Sequence, residues 1–333
     1  MRRYHIYGIG AALVDTEITI SDRDLQKYQI DKGIMTLVDE ARQHELMADL
    51  QQHLVGSRRA SGGSAANSVI AASYFGADTF YSCKVANDDN GQFYLNDMRN
   101  AGVALPAGIG QSEGITGKCL VMITPDAERT MNTFLGISDT VSIEELYRPA
   151  VQASQYIYIE GYLATSDTGR QAAINLRRWA ESHDTKTSIS LSDPSVVTLF
   201  GDCLRQMIGD RVDLLFCNEA EALNFTDSDN LETAVDQLRN TADTFAITLG
   251  DRGALVYDGC QYLNIAPCKV DAVDTNGAGD MFAGAFLYAI THGYSYRQAG
   301  DLASAAAAQV VSQFGPRLRP AQHRDIVAAV FGD

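Results

Sequence analysis

The chain has 333 residues, 46% of them hydrophobic and 20% charged, enough for one large globular domain or two of ordinary size. Lys and Arg number 26 against 42 Asp and Glu, a net charge of −16. So acidic a surface repels phosphate backbones and anionic lipid, which argues against nucleic-acid and membrane partners; a small anionic ligand stays possible, because main-chain N–H groups can hold phosphate locally.

The elements follow in chain order. Residues 4–10 read as a buried strand closed by glycine. A polar stretch over 16–59 follows, with Leu46, Leu50 and Leu54 at helical spacing inside 38–54. Gly62 and Gly63 then lead into a helix of small and apolar residues, with Ser64 expected near its N-cap. A strand over 79–84 and a helix over 91–100 come next. Two strands, 117–124 and 129–135, are joined by Pro125-Asp126-Ala127-Glu128, which suits a hairpin turn. Strands over 156–159, 188–191, 212–217 and 245–249 alternate with helices over 168–182 and 231–240. A hairpin around Asp258-Gly259 joins 254–257 to 261–265, and helices over 278–291 and 296–313 follow. Alternating strands and helices predict a parallel sheet covered on both faces. The early hairpin and the polar stretch do not fit that alternation and suggest a small β-rich appendage.

No run approaches the ~20 apolar residues of a membrane span, and the N-terminal apolar run is too short for a signal peptide. Cys83, Cys119, Cys203, Cys217, Cys260 and Cys268 form no Cys-x-x-Cys and have no His at zinc spacing, so they are expected to be reduced thiols in a cytoplasmic protein. The six histidines show no metal spacing. A phosphate-binding loop of the Gly-x-x-x-x-Gly-Lys type is absent, and Gly8-Ile9-Gly10 lacks the third glycine of a dinucleotide fingerprint.

The densest chemistry lies in Asp274-Thr275-Asn276-Gly277-Ala278-Gly279-Asp280. Small residues at a helix start let N–H groups converge on an anion, with the helix dipole in support. Asp280 beside that cradle suits a proton acceptor for an attacking hydroxyl, or equally an acid at a helix N-terminus. Gly62, Gly63 and Asn67 would admit a ligand closely and hydrogen-bond its hydroxyls; a strand-to-helix turn explains the same letters. Asp15 follows the first strand, where a carboxylate can face a ligand or simply occupy a loop. Thr248-Leu249-Gly250-Asp251-Arg252-Gly253 suits phosphate contact or a glycine turn. Asn218 and Glu221 offer hard oxygens for hydrated magnesium, or a helix cap. Arg129 could clamp a phosphate or lie solvated.

Together and in this order, these segments resemble the ribokinase (PfkB) family of sugar and nucleoside kinases over nearly the whole chain. The block from Asp274 to Leu287 resembles the family's C-terminal motif, Gly62 to Asn67 its N-terminal motif, and Asn218 with Glu221 and Thr248 with Gly250 its Asn-x-x-Glu and Thr-x-Gly elements. The resemblance implies an α/β protein with a three-layer α/β/α core. Residues 1–333 would form a single kinase domain, with a β-sheet lid from roughly 14–60 and 115–136. It implies ATP, magnesium, in many members potassium beside Asp274-Thr275, and phosphoryl transfer to the hydroxymethyl group of a sugar. Asp280 becomes the catalytic base, and the backbone at Gly277, Ala278 and Gly279 the anion hole. Asp15, Gly62, Gly63, Asn67 and Arg129 bind the acceptor. Thr248, Gly250 and Gly253, with Asn218, Gly277 and Gly279, contact the nucleotide, and Asn218 and Glu221 order the magnesium.

Residues 21–28 and the Arg129-Thr130 pair resemble adenosine kinases, so a purine nucleoside is the alternative acceptor. Ala11 stands where those enzymes carry an asparagine that helps bind ribose, which argues against adenosine itself. Aromatic side chains facing the acceptor would favour a purine, and a small polar pocket a sugar. A non-catalytic sensor on the same fold would be expected to lose the base or the anion hole, and both remain. The chain is expected to act as a monomer or as a homodimer joined through the lid.

Overall fold

Runs of β-branched and aromatic residues build the centre of the molecule. The computed structural model describes residues 3–54, 58–126 and 128–332. Met1 and Arg2, residues 55–57 of the expected lid, and Ala127 of the expected turn lie outside the described residues. Eight strands form one sheet: β1 (Tyr4–Ile9), β5 (Thr79–Ser82), β8 (Ser154–Glu160), β9 (Lys186–Ser190), β10 (Val212–Asn218), β11 (Ala242–Thr248), β12 (Ala254–Tyr257) and β13 (Tyr262–Ile265). Their order is β13-β12-β11-β10-β9-β8-β1-β5. The pairs from β5 to β11 are parallel, and β12 and β13 add an antiparallel edge. Parallel strands carry buried side chains on both faces, so these read as continuous apolar runs.

Two apolar layers cover the sheet. On one face pack α3 (Ser64–Phe75), α4 (Asp89–Asn100), α10 (Ala278–Thr291), α11 (Tyr296–Val311) and α12 (Pro320–Phe331), through Val69, Ile70, Leu95, Phe286 and Leu302. The other face takes α5 (Arg148–Gln152), α6 (Asp167–Glu181), α7 (Pro194–Ile208), α8 (Glu219–Thr226) and α9 (Leu231–Leu238), through Ile157, Leu176, Leu204, Leu215 and Ile247. This is the three-layer α/β/α arrangement expected from the alternation. Among the described residues no helix is long and apolar enough to cross a membrane.

A second sheet of five strands, in the order β3-β7-β6-β2-β4, is drawn from β2 (Leu13–Thr19), β3 (Met35–Leu37), β4 (Arg58–Gly62), β6 (Gly117–Ile123) and β7 (Arg129–Phe134). Successive side chains on a strand point to opposite faces, and this sheet uses both. Ile18, Leu120 and Met122 pack under α1 (Asp22–Lys27) and α2 (Glu40–Asp49), against Leu25 and Leu46. Cys119, Val121 and Met131 lie on the opposite face and line a cavity.

Ser64 stands beside the N-cap of α3, as expected, and the cap itself is glycine. Gly63, with φ +100°, is the N-cap of α3, and Ser64 is the first helical residue. A Cβ at position 63 would lie 2.4 Å from the Ala11 carbonyl oxygen, so only glycine fits there. The Ser64 hydroxyl is thereby released from capping and turns to Asp280.

Candidate active site

The carboxyl ends of the parallel strands open into a cavity of about 510 Å³, closed on its far side by the small sheet. Ala11 beyond β1, Glu160 ending β8, Ser190 ending β9, Asn218 ending β10 and Thr248 ending β11 all line it. Ligands of open α/β sheets bind outside the carboxyl ends of the strands, where loops splay apart. The start of α10 contributes Gly277, Ala278, Gly279 and Asp280. From the small sheet come Leu13 and Asp15 on β2, Met35 and Leu37 on β3, Cys119 and Val121 on β6, and Met131 and Thr133 on β7.

Asp280 lies in the first turn of α10, behind the left-handed N-cap Gly277 with φ +75°. Gly277 caps α10 and Ala278 and Gly279 open it, so main-chain N–H groups gather where the sequence expects an anion, although that of Ala278 also reaches the Thr275 carbonyl at 3.4 Å. The Asp280 carboxylate is held from α3: Ser64 Oγ donates to Oδ1 at 2.6 Å, and Asn67 Nδ2 to Oδ2 at 3.1 Å. Two motifs more than 200 residues apart thus meet side chain to side chain.

Burial governs the electrostatics here. It pushes the Asp280 carboxyl up to about 6, against the opposing effect of its hydrogen bonds from Ser64 and Asn67 and the charge of Arg317. Asp15, Glu160 and Glu221 are each pushed up to about 7, again chiefly by burial. Glu160, which the sequence did not single out, accepts from the main-chain N–H of Ala65 at 2.8 Å and of Ala11 at 3.3 Å. It pins the start of α3 to the end of β1. Asp15 differs: its Oδ1 is buried with no hydrogen-bond partner among the described residues, although it lines the cavity. A buried carboxylate oxygen without a donor suits a ligand hydroxyl.

Asn218 and Glu221 form a capping box at the start of α8, with Asn218 Nδ2 donating to Glu221 Oε1 at 2.7 Å and the Glu221 N–H to Asn218 Oδ1 at 2.8 Å. The capping reading of these letters holds, and the capped pair also lines the cavity. Among the described residues no group of three His, Cys, Asp or Glu could hold a metal directly. The oxygens of half-buried Asn218 and buried Glu221 fit a magnesium ion that keeps its waters and rides on a nucleotide.

Thr248 and Gly250 line the cavity; Gly253, Gly62 and Arg129 do not. Gly253 turns the chain into β12, and Gly62 packs directly against the Asp15 side chain. Arg129, expected at the acceptor, is buried in an ion pair: its Nε and Nη2 both bond the Asp274 carboxylate, and Nη2 also reaches Glu17 at 3.1 Å. Asp274 further accepts from the N–H of Asn276 at 3.0 Å and of Gly315 at 2.7 Å. With four donors on its two oxygens and a guanidinium against it, Asp274 does not fit a potassium ion. A positive charge already stands there, and it belongs to the small sheet.

Sequence reasoning also missed Arg317. Its Nε donates to Asn67 Oδ1 at 3.0 Å, Nη1 to Asp97 at 2.8 Å and Nη2 to Ser61 Oγ at 3.0 Å. An arginine beside a Gly-Pro pair carries no catalytic signature, so only the folded contacts reveal it.

A cleft between two sheets, with an acid in the first turn of a glycine-led helix, marks the candidate site of an α/β enzyme. The pfkB family carbohydrate kinase model matches residues 30–323, and the chain belongs to that family. It is accordingly a kinase with an alcohol acceptor, of the sugar and nucleoside type. Adenosine kinase from Saccharomyces cerevisiae is 27% identical over 327 residues, covering 92% of this chain and 95% of the relative. The crystal structure of a probable sugar kinase from Rhizobium etli superposes with a TM-score of 0.91 at 30% identity, over 99% of this chain and 100% of the other. Adenosine kinase from Sinorhizobium meliloti gives 0.87 at 30% identity, over 97% and 99%. The ribokinase-like fold expected from the sequence is thereby established.

Two outcomes follow from the charges. The raised carboxyl of Asp15 binds its proton more tightly in the folded than in the unfolded chain. Its contribution to stability is therefore complete below about pH 4 and lost as pH rises through about 7. Asp15→Asn should raise the melting temperature of the ligand-free protein at pH 8 by ~2 °C or more and leave it unchanged near pH 4; a lower melting temperature at pH 8 contradicts the assignment. Exchanging potassium for sodium in a phosphotransfer assay should leave turnover unchanged, since Arg129 holds the Asp274 carboxylate.

Proposed function

We propose that this chain transfers the γ-phosphoryl group of ATP to the hydroxymethyl group of a sugar that carries an apolar ring, a nucleoside, with Asp280 as general base. The observation that supports the nucleoside is the cavity face of the small sheet. Leu13, Met35, Leu37, Cys119, Val121 and Met131 turn toward the acceptor side, and a free polyhydroxylated sugar has nothing to bury against them. The contacts on this face are aliphatic and sulfur-bearing, and polarisable sulfur suits a flat base; the aromatic side chains expected beside a purine are not on this face, and the cavity's Tyr162, Phe216 and Phe282 come from other elements.

In this reading the small sheet acts as the lid, and Asp15 and Asn67 take the sugar hydroxyls. The acceptor hydroxyl gives its proton to Asp280 as its oxygen forms a bond to the γ-phosphorus, the bond to the bridging oxygen breaks, and ADP leaves. The N–H groups at Gly277, Ala278 and Gly279 face the charge on the transferred group, as preorganised donors should. Magnesium bound with the nucleotide neutralises phosphate charge, and Asn218 and Glu221 are the residues that would order its waters. Thr248 and Gly250 border the nucleotide. A closed small sheet keeps water from competing as acceptor.

A free sugar is the second reading, and Ala11 favours it: the residue lines the cavity with a methyl group and uses its main-chain N–H on Glu160. ADP release measured over adenosine, inosine, guanosine, ribose and fructose separates the two. The nucleosides should give the higher kcat/KM, and a preference for free ribose or fructose would overturn the nucleoside reading. Asp280→Asn should lower kcat by a factor of ~10² or more with the best acceptor of that panel; near-full activity would remove Asp280 from the base role.

A further inference from the structure

A carboxylate serves as a base through a lone pair that its hydrogen bonds leave free and aimed, and Asp280 is aimed in part by an amide whose two ends look alike in shape. The Asn67 side chain could present either its NH₂ or its carbonyl to Asp280. Turned one way it donates to the carboxylate; turned the other it sets oxygen against oxygen. Arg317 removes that freedom. Its Nε–H can only donate, and it points at Asn67 Oδ1 from 3.0 Å, so the NH₂ must face Asp280.

Arg317 is itself immobilised. Asp97 on α4 accepts from Nη1, and Ser61 on β4 accepts from Nη2, while the Ser61 N–H returns to Asp97 at 3.2 Å. The segment that carries it braces the same helix start from two further points. The Gly315 N–H holds Asp274, and Pro316 lies against Gly277, where a Cβ would come within 2.6 Å of it. The titratable groups facing Asp280 are Asp15 on β2, Tyr158 and Glu160 on β8, Tyr162 just beyond it and Glu221 on α8. All are acids or phenols, and the cation acting on Asp280 is Arg317.

We propose that Arg317 is the positioning residue of the base: it locks the Asn67 amide in the orientation that aims Asp280, and it sets a fixed positive charge behind that amide. The inference rests on the reading of Asp280 as the base. It concerns a residue that touches neither substrate, so its signature differs from that of a binding contact. Removing the guanidinium should slow the chemical step and make the base harder to ionise, while leaving nucleotide binding intact.

The test compares Arg317→Met and Arg317→Lys with the unaltered enzyme, using ATP and the best acceptor of the panel above. Arg317→Met should lower kcat ~10-fold or more with KM for ATP unchanged, and should move the acid limb of the kcat/KM profile up by about half a pH unit or more. Arg317→Lys should return the limb to its original pH without restoring full kcat, because an ammonium keeps the charge and loses the three-armed geometry. A readout independent of turnover is the carbon-13 titration of the Asp280 carboxyl, assigned by its loss in Asp280→Asn. It should shift upward in Arg317→Met and revert in Arg317→Lys. An unmoved limb and an unmoved carboxyl titration in a folded Arg317→Met protein would overturn the proposal, whatever its residual activity. Asp280→Asn run alongside keeps the two readings apart. If it retains activity, the base assignment falls; if it is inactive while Arg317→Met is unaffected, only the positioning role falls.

Discussion

The contact between the first turns of α3 and α10 is the constraint on which the site depends. Ser64 and Asn67 hold both oxygens of Asp280, so the starts of these two helices are tied to one another at the mouth of the cavity. Glu160 then fastens the α3 start to the end of β1 through two main-chain N–H groups. On the other flank, Arg129 and Asp274 fasten the small sheet to the segment that leads into α10. The Glu160 and Arg129–Asp274 links are shielded from water, where such contacts hold geometry best and where losing one partner costs most, while the Ser64 and Asn67 bonds are part-buried.

The same shielding sets the cavity at odds with its own charge. Asp15, Glu160, Glu221 and Asp280 share one space and all resist ionising. A core built for stability would not gather three buried acids, Asp15, Glu160 and Glu221, beside a half-buried fourth, Asp280. Sites that move protons or bind hydroxyls do, because a carboxyl poised near neutrality can change state at small cost. Part of the fold's stability is given up at this edge of the sheet.

How far the sequence reveals this depends on where each signal resides. The alternation of strands and helices was legible because buried parallel strands are continuous apolar runs, and the start of α10 because Gly277, Ala278 and Gly279 leave a visible small-residue pattern before Asp280. The strands β2 and β4 were not singled out, since Leu13–Thr19 and Arg58–Gly62 mix charged and small residues in a sheet that is apolar only by alternate faces. Helix α7 starts at Pro194 behind an Asp193 cap, and its pattern is interrupted at Phe200, where the backbone leaves helical geometry. Glu160 and Arg317 were illegible for another reason: one ends an ordinary strand, the other follows a turn, and their roles exist only through partners far away in the chain. Arg129 shows the converse, a residue whose type suggested a phosphate while its folded partners are Asp274 and Glu17.

The bond from Asn67 to Asp280 spans 213 positions of chain. Cavity walls come from segments near residues 11, 63, 119, 160, 218, 248 and 277, which leave the ribosome at widely separated times. No early-emerging portion of the polypeptide holds both halves of the chemistry. The cavity is therefore complete only once the last third of the chain has closed the ring of contacts.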